Sequence, residues 1–517
     1  MSVRVRYAPS PTGSPHVGNI RTALFNHLFA RHHGGVHIVR IEDTDRARLV
    51  PGCEDEIIES LQYVGCQWQE GPDVGGTHAP YRQSERKEAG LYQSVIDRLA
   101  ELGAAYWAFD TPEELAEMRE YQQINKQPIG YYGGVWRDAT PAKVEEARSA
   151  GKPGVLRLRI PRDETIVVDD AIRGRVEIAS NGVDDPVLIK ADGMPTYHFA
   201  AMVDDNLMGI THVFRGEEWI SSAPKHVVLI RSLGWDPPVF VHVPVIKGKD
   251  GSKLSKRHGD TACLDFRRAG VLSEALANFI ALIGWSPGGD REIMTMDEMA
   301  EAFDLKGIQP SPGIFDLDKL NWMNGSYIRK CDPAALALNV RDYSSCDENQ
   351  GYWANRQPDP QAPKGKPTPA EILAGMKLLV ATFEKDPELV KQAVALEQER
   401  VTSVAEFGAL CEFFFIEDPG MDQDAVAKWK GQPHVGPMFD AFIAFFSDKK
   451  ATTAEECEKL LRDYHASAGL DKLGPVVHPT RVALTGKTVG PGLFELMAAL
   501  GPERIVKRLT RAKGTLI

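Results

Sequence analysis

The sequence predicts a multidomain protein in which an α/β Rossmann-type domain is split by an α+β insertion and followed by an all-α C-terminal half. Three observations predict this. The chain has 517 residues, too many for one core at about 150 residues per domain. It opens on a strand, loop, helix, strand pattern that resumes only near residue 187. From about residue 265 onward, helical spacing of apolar residues dominates.

Val3, Val5 and Tyr7 alternate as in a half-buried strand, and the run Pro9-Ser10-Pro11-Thr12-Gly13-Ser14-Pro15 breaks it. Ile20, Leu24 and Leu28 then share a helix face, Gly34-Gly35 ends the helix, and Val36–Ile41 reads as a buried strand. This is a βαβ unit of the doubly wound kind, whose ligands bind beyond the carboxyl ends of the strands. The residues placed there are the loop 9–19 and Glu42-Asp43-Thr44-Asp45. Between Tyr81 and Pro186 the pattern predicts helices over 84–102 and 112–126, then short strands such as Val155–Ile160. Doubly wound character returns over 187–246, where Val239–Ile246 reads as one strand leading into a basic loop. Asp204-Asp205 is read as a strand pair pointing to opposite faces, structural and not a metal site. Ile372, Met376, Leu379 and Phe383 form an apolar helix stripe expected in the core. Residues 347–369, rich in Pro, Gly and polar groups, are expected as a mobile surface insertion. The expected divisions are 1–80 with 187–237, 81–186, 238–322, 323–422 and 423–517.

Hydrophobic residues make up 43% and charged residues 26%, which excludes general disorder. No window reaches the ~18 apolar residues of a spanning helix, and the N-terminus has no signal-peptide pattern. A cytoplasmic protein without a membrane partner is expected. Seven scattered cysteines, without a C-x-x-C pair, favour neither a disulfide framework nor a cysteine zinc site. The net charge of -12 argues against unspecific binding of nucleic acid, so RNA contacts must use local basic patches. Two are visible, 247–257 and 501–517, each with five basic residues against one acidic.

The loop 9–19 matches neither G-x-G-x-x-G nor G-x-x-x-x-G-K-[ST]. Instead, His16 and Gly18 stand at a helix start, where a helix N-terminus and an imidazole can face phosphates. Nucleotidyl transfer develops negative charge on phosphorus and calls for mobile ammonium groups. Lys253 and Lys256 meet that need, and Gly251-Ser252 lets their loop close.

These two motifs resemble the HIGH-type turn and KMSKS-type loop of class I aminoacyl-tRNA synthetases. The glutamyl branch is most similar, through APSPTGSPHVGN (8–19), RIEDTD (40–45), YRQSER (81–86), PTYHF (195–199), FRGEEW (214–219), FDLDKLNWMNGSYIR (315–329) and PGLFEL (491–496). Asn19 replaces the second histidine of the turn, and Leu254 the methionine of the loop. Cysteines that some relatives use for zinc are missing over 106–137, so no zinc is expected.

The resemblance implies that ATP, with Mg²⁺ on its phosphates, meets His16, Gly18, Glu218, Trp219, Lys253 and Lys256. It also implies a glutamate pocket of Arg6, Ser10, Glu42, Tyr197 and Arg215. A substrate with two carboxylates and an ammonium needs two cationic forks and an anion. By resemblance, arginine at 215 separates glutamyl from glutaminyl enzymes. L-Glutamate would be adenylated and passed to tRNA(Glu) by a monomer, with the insertion on the acceptor end, 238–320 on the inner stem and the helical half on the anticodon, Arg400 among its contacts. The alternatives are a glutaminyl enzyme, a truncated relative that glutamylates a tRNA base, and a tRNA-binding paralogue without activity.

Overall fold

The computed structural model describes residues 2–517 apart from 256, 258, 361, 362 and 364. The first strand, β1 (Arg4–Tyr7), is followed by the helix α1 (Val17–His32) and by β2 (Val36–Val39), which pairs parallel with β1. This is the expected βαβ unit. Further strands are β3 (Ala105–Ala108), β4 (Val155–Leu158), β5 (Thr165–Asp170), β6 (Gly174–Ala179), β7 (Val187–Ile189), β8 (His212–Gly216), β9 (Val239–Val243), β10 (Ile246–Lys247) and β11 (Gly313–Ile314). The main sheet has the order β2-β1-β8-β9-β5-β6, parallel except for the β5–β6 hairpin. β3, β4 and β7 form a separate antiparallel sheet, and β10 pairs with β11.

The chain divides into two units, one of Met1–Asp265 with Leu276–Asp316 and one of Phe266–Ala275 with Leu317–Ile517. Some local expectations need correction. The helix expected over 84–102 is two, Gln83–Glu88 and Gln93–Glu101, because Gly90 takes a left-handed φ of 74° between them. The strand expected over 239–246 is broken after Val243, where Pro244 cannot donate to a ladder. Asp204 and Asp205 lie on the helix Tyr197–Leu207, not on a strand. The main sheet also takes in β5 and β6, from within the 81–186 stretch, and β9, from beyond 237.

The second unit is helical, as expected, around a core that includes Phe407, Phe414, Phe439, Phe442, Leu496 and Leu509. Ile372, Met376 and Leu379 are buried along the helix Pro369–Phe383, and Phe383 packs at the edge of the core. Gly375 on this helix meets the backbone at Gly408 so closely that neither position has room for a Cβ. Residues 347–369 do not form one loop, because Asp347–Ala354 is a helix. Within the unit, Glu348 pairs with Arg267 and Arg268, and Trp353 Nε1 donates to the Tyr343 hydroxyl at 2.8 Å. The 501–517 patch is largely committed to structure. Arg508 is buried and donates to the carbonyls of Leu484, Phe413 and Ile416, while Arg504 and Arg511 donate to those of Phe414 and Pro419. Leu484, Phe413, Phe414 and Ile416 lie at helix ends, whose carbonyls lack helical partners. Among the described residues, no helix is long and apolar enough to cross a membrane.

Candidate active site

The site lies where the parallel strands β1, β2, β8 and β9 end. His16 is the N-cap of α1, and its Nδ1 accepts the Gly18 backbone N–H at 3.0 Å. A backbone N–H only donates, so the neutral ring carries its proton on Nε2. The ring folds back so far that a Cβ on Gly18 would come within 2.7 Å of its Cε1. Gly18 is therefore needed for the imidazole to sit over the helix start. His16 keeps an exposed surface, but desolvation by the groups packed around the ring and the nearby Lys253 lower its pKa, which keeps the ring neutral at pH 7.

Backbone pairing brings the two motifs together. Val17 N donates to Thr261 O at 2.9 Å and Cys263 N to Pro15 O at 3.0 Å, both just C-terminal to the basic loop. That loop leaves β10 as a tight turn, with Gly248 N on Ser252 O and Leu254 N on Ile246 O. Lys253 is exposed and acts electrostatically on His16. Lys256, the second expected lysine, lies outside the described residues. Glu218 is exposed and faces both His16 and Arg21 electrostatically. Arg21, which sequence reasoning missed, is buried and ties α1 to the carbonyls of Ile283 and Pro244.

Behind this edge lies a cluster of buried charges. Arg6 donates through Nε to Asp205 at 3.0 Å and through one terminal nitrogen to Phe214 O at 3.1 Å. Arg40 is fully buried and donates to Asp205 at 2.8 Å and to Glu42 at 2.9 Å. Burial raises the Glu42 pKa, and Arg40 and Arg6 oppose that rise. Asp204 on the same helix is occupied by Arg86, Gln83 and Tyr92. Both carboxylates of the aspartate pair are thus held by arginines, and helical geometry, not strand alternation, separates them. Among the described residues, no group of three or more His, Cys, Asp or Glu side chains could hold a metal ion.

Arg215 stands one residue before the end of β8, in register with His242 on β9. Its Nε donates to His242 Nε2 at 2.9 Å and one terminal nitrogen to His226 Nδ1 at 2.8 Å. Among the described residues the other terminal nitrogen has no partner of full hydrogen-bond geometry, although the Tyr197 hydroxyl lies close enough to interact with the guanidinium. Tyr197 begins the helix Tyr197–Leu207, is electrostatically coupled to Arg215, Glu42 and Arg6, and packs on Trp219 with ring centroids 4.4 Å apart. Burial lowers the Arg215 pKa, while Tyr197 opposes this and Arg6 adds to it. Ser10 is exposed in the loop after β1. Arg6, Glu42, Tyr197 and Arg215 are therefore gathered in one place, with His16, Glu218 and Lys253 at its edge. Arg400 belongs to the other unit, where it pairs with buried Glu397 at 2.5 Å and shares its surroundings with Arg481.

Comparison with known proteins agrees with this geometry. The family described as tRNA synthetases class I (E and Q), catalytic domain, matches residues 2–322, and an anticodon binding domain matches 372–513. The chain belongs to the class I tRNA synthetases of the E and Q group. It is 42% identical over 511 residues to a glutamate–tRNA ligase of Thermus thermophilus, covering 99% of both chains. It is 38% identical over 512 residues to one of Desulforamulus reducens, covering 99% of this chain and 100% of that one. Among solved structures, a glutamate tRNA ligase of Elizabethkingia meningosepticum in complex with its amino acid superposes with a TM-score of 0.86 at 34% identity, over the full length of both chains. The family match spans both the loop after β1 and the hairpin after β10.

Proposed function

We propose that this synthetase joins L-glutamate to the 3′-terminal adenosine of tRNA(Glu) through glutamyl adenylate, acting as a cytoplasmic monomer. The observation that carries the choice of amino acid is the buried Arg215 guanidinium, whose hydrogen-bond partners among the described residues are two imidazoles and the Tyr197 hydroxyl, with no carboxylate hydrogen-bonded to it. Glutamate's side-chain carboxylate would pair with it. A glutamine amide would leave the charge unpaired, and that penalty is the basis of selection. The names of the relatives, glutamate–tRNA ligases, support the same amino acid.

In this reading Glu42 takes the substrate ammonium, Arg6 its α-carboxylate, and Ser10 and Tyr197 complete the pocket. His16 offers its Nε2–H to the ATP phosphates, and Lys253 and Lys256 approach them from the basic loop. Glu218 and Trp219 line the adenosine side, and Mg²⁺ travels on the ATP phosphates. A glutamate α-carboxylate oxygen attacks the α-phosphorus and breaks its bond to the bridging oxygen, so pyrophosphate leaves. The tRNA 2′-hydroxyl then attacks the acyl carbon, loses its proton, and AMP leaves. No side-chain nucleophile takes part, so positioning and electrostatics supply the catalysis. The insertion grips the acceptor end, 238–322 the inner stem, and the helical unit the anticodon, with Arg400 reading a splayed base.

ATP–pyrophosphate exchange with glutamate or glutamine, each with and without tRNA(Glu), tests the proposal. Exchange driven by glutamate and dependent on tRNA is expected. Exchange driven by glutamine, or none with either, would overturn it.

A further inference from the structure

Most buried guanidiniums around the site face a carboxylate: Arg6 meets Asp205, Arg40 meets Glu42 and Asp205, and Arg86 meets Asp204. Arg215 meets two imidazoles and the Tyr197 hydroxyl instead, all of them neutral. A guanidinium only donates, so both ring nitrogens that touch it must carry lone pairs. For His242 this is Nε2, which places its proton on Nδ1, where Asp170 Oδ2 accepts it at 2.6 Å. For His226 it is Nδ1, which places its proton on Nε2, where it is donated to His198 Nδ1 at 3.0 Å.

Every proton in the chain Asp170, His242, Arg215, His226, His198 is thus assigned without conflict. Asp170 is itself fixed, because its carboxylate also accepts the backbone N–H groups of Ile172, Arg173 and His242. His242 and His226 are fully buried, and burial keeps both rings below their ordinary pKa and neutral at pH 7. A carboxylate in either place would neutralise Arg215 before substrate arrived. A neutral imidazole satisfies a buried N–H donor yet leaves the charge whole.

We propose that Asp170, His242 and His226 are positioning residues that hold Arg215 with its charge uncompensated, and that this relay sets the preference for glutamate over glutamine. The inference rests on the reading that the site activates glutamate.

Steady-state aminoacylation of tRNA(Glu) by the full-length chain tests it with two independent pairs of variants. His242→Phe keeps a ring but removes the lone pair, and His242→Gln returns an amide oxygen near the place of Nε2. On the other flank, His226→Leu removes the acceptor and His226→Asn returns one near Nδ1. The acceptor-free variants are expected to raise KM for glutamate about tenfold or more, the scale of a lost hydrogen bond to a charged group. KM for ATP stays put, the glutamate-to-glutamine ratio of kcat/KM falls by a similar factor, and the amide variants recover most of it. If one acceptor-free variant fails to fold, the other pair carries the test. The inference is overturned if the acceptor-free variants keep the wild-type ratio, or if KM for ATP and glutamate rise together with no rescue by the amides. A wild-type chain that activates no glutamate overturns the underlying reading as well.

Discussion

Replacing Gly18 with alanine separates activity from stability. The added Cβ would lie 2.7 Å from His16 Cε1 and 2.9 Å from its Nδ1. Ordinary contact begins near 3.4 Å, so the imidazole must retreat by roughly 0.7 Å, and its bond to the Gly18 N–H is lost. Loss of that cap costs about 1 kcal/mol, and the better helix propensity of alanine returns up to about 1 kcal/mol. Stability should therefore stay within about 1 kcal/mol of wild type by urea unfolding. Activity should not, because a misplacement near 1 Å in a positioned group costs about 100-fold. The assay is ATP–pyrophosphate exchange with glutamate and tRNA(Glu). A Gly18→Ala chain that retains activity within about threefold of wild type, less than 1 kcal/mol of barrier, would refute the role given to the His16 ring.

Asp205→Asn removes the carboxylate shared by Arg6 and Arg40 and should destabilise the first unit by about 3–5 kcal/mol, read from its urea midpoint. Burial pushes the Asp205 pKa up, but Arg6 and Arg40 outweigh it and hold it below the usual range. Its contribution is therefore complete above about pH 3.9 and lost as pH falls through the lowered value, so the variant should lack that part of acid unfolding. Buried His27 and His37 and half-buried His198 have pKa values lowered to about 4, 3 and 4. The unfolded chain takes up their protons first, so stability should fall as pH drops from about 6.5 towards 4, and His27→Gln should flatten that slope. Arg508→Ala strands three carbonyls in the second unit and should cost about 2–4 kcal/mol in urea unfolding, whereas exposed Lys507→Ala should stay within about 0.5 kcal/mol.

The opening βαβ unit was legible because proline and glycine punctuate strands of unambiguous period. The stretch Tyr197–Leu207 was not: it buries most of its faces, which erases the 3.6-residue signal and lets an aspartate pair pass for strand residues. Pairing of β5 with β9 joins residues about 70 apart, and nothing local announces it. In the site, His16, Gly18, Lys253 and Arg215 were found through motifs, and the structure places all four at the strand ends. Arg40 lay in a quoted motif, but its burial between Glu42 and Asp205 appears only in three dimensions. His226, His242 and Asp170 carried one faint signal, a lone histidine inside the apolar strand around Val241. The basic tail read as a surface patch because charge counts do not reveal which arginines cap buried carbonyls.

The central claim is that Arg215 makes the substrate glutamate. It is tested most directly by the ratio of kcat/KM for glutamate to that for glutamine in charging purified tRNA(Glu), wild type against Arg215→Gln. A wild-type ratio of at least about 100 is expected, because the wrong substrate leaves a buried charge unpaired, and it should collapse in the variant. An unchanged ratio in Arg215→Gln would contradict the claim.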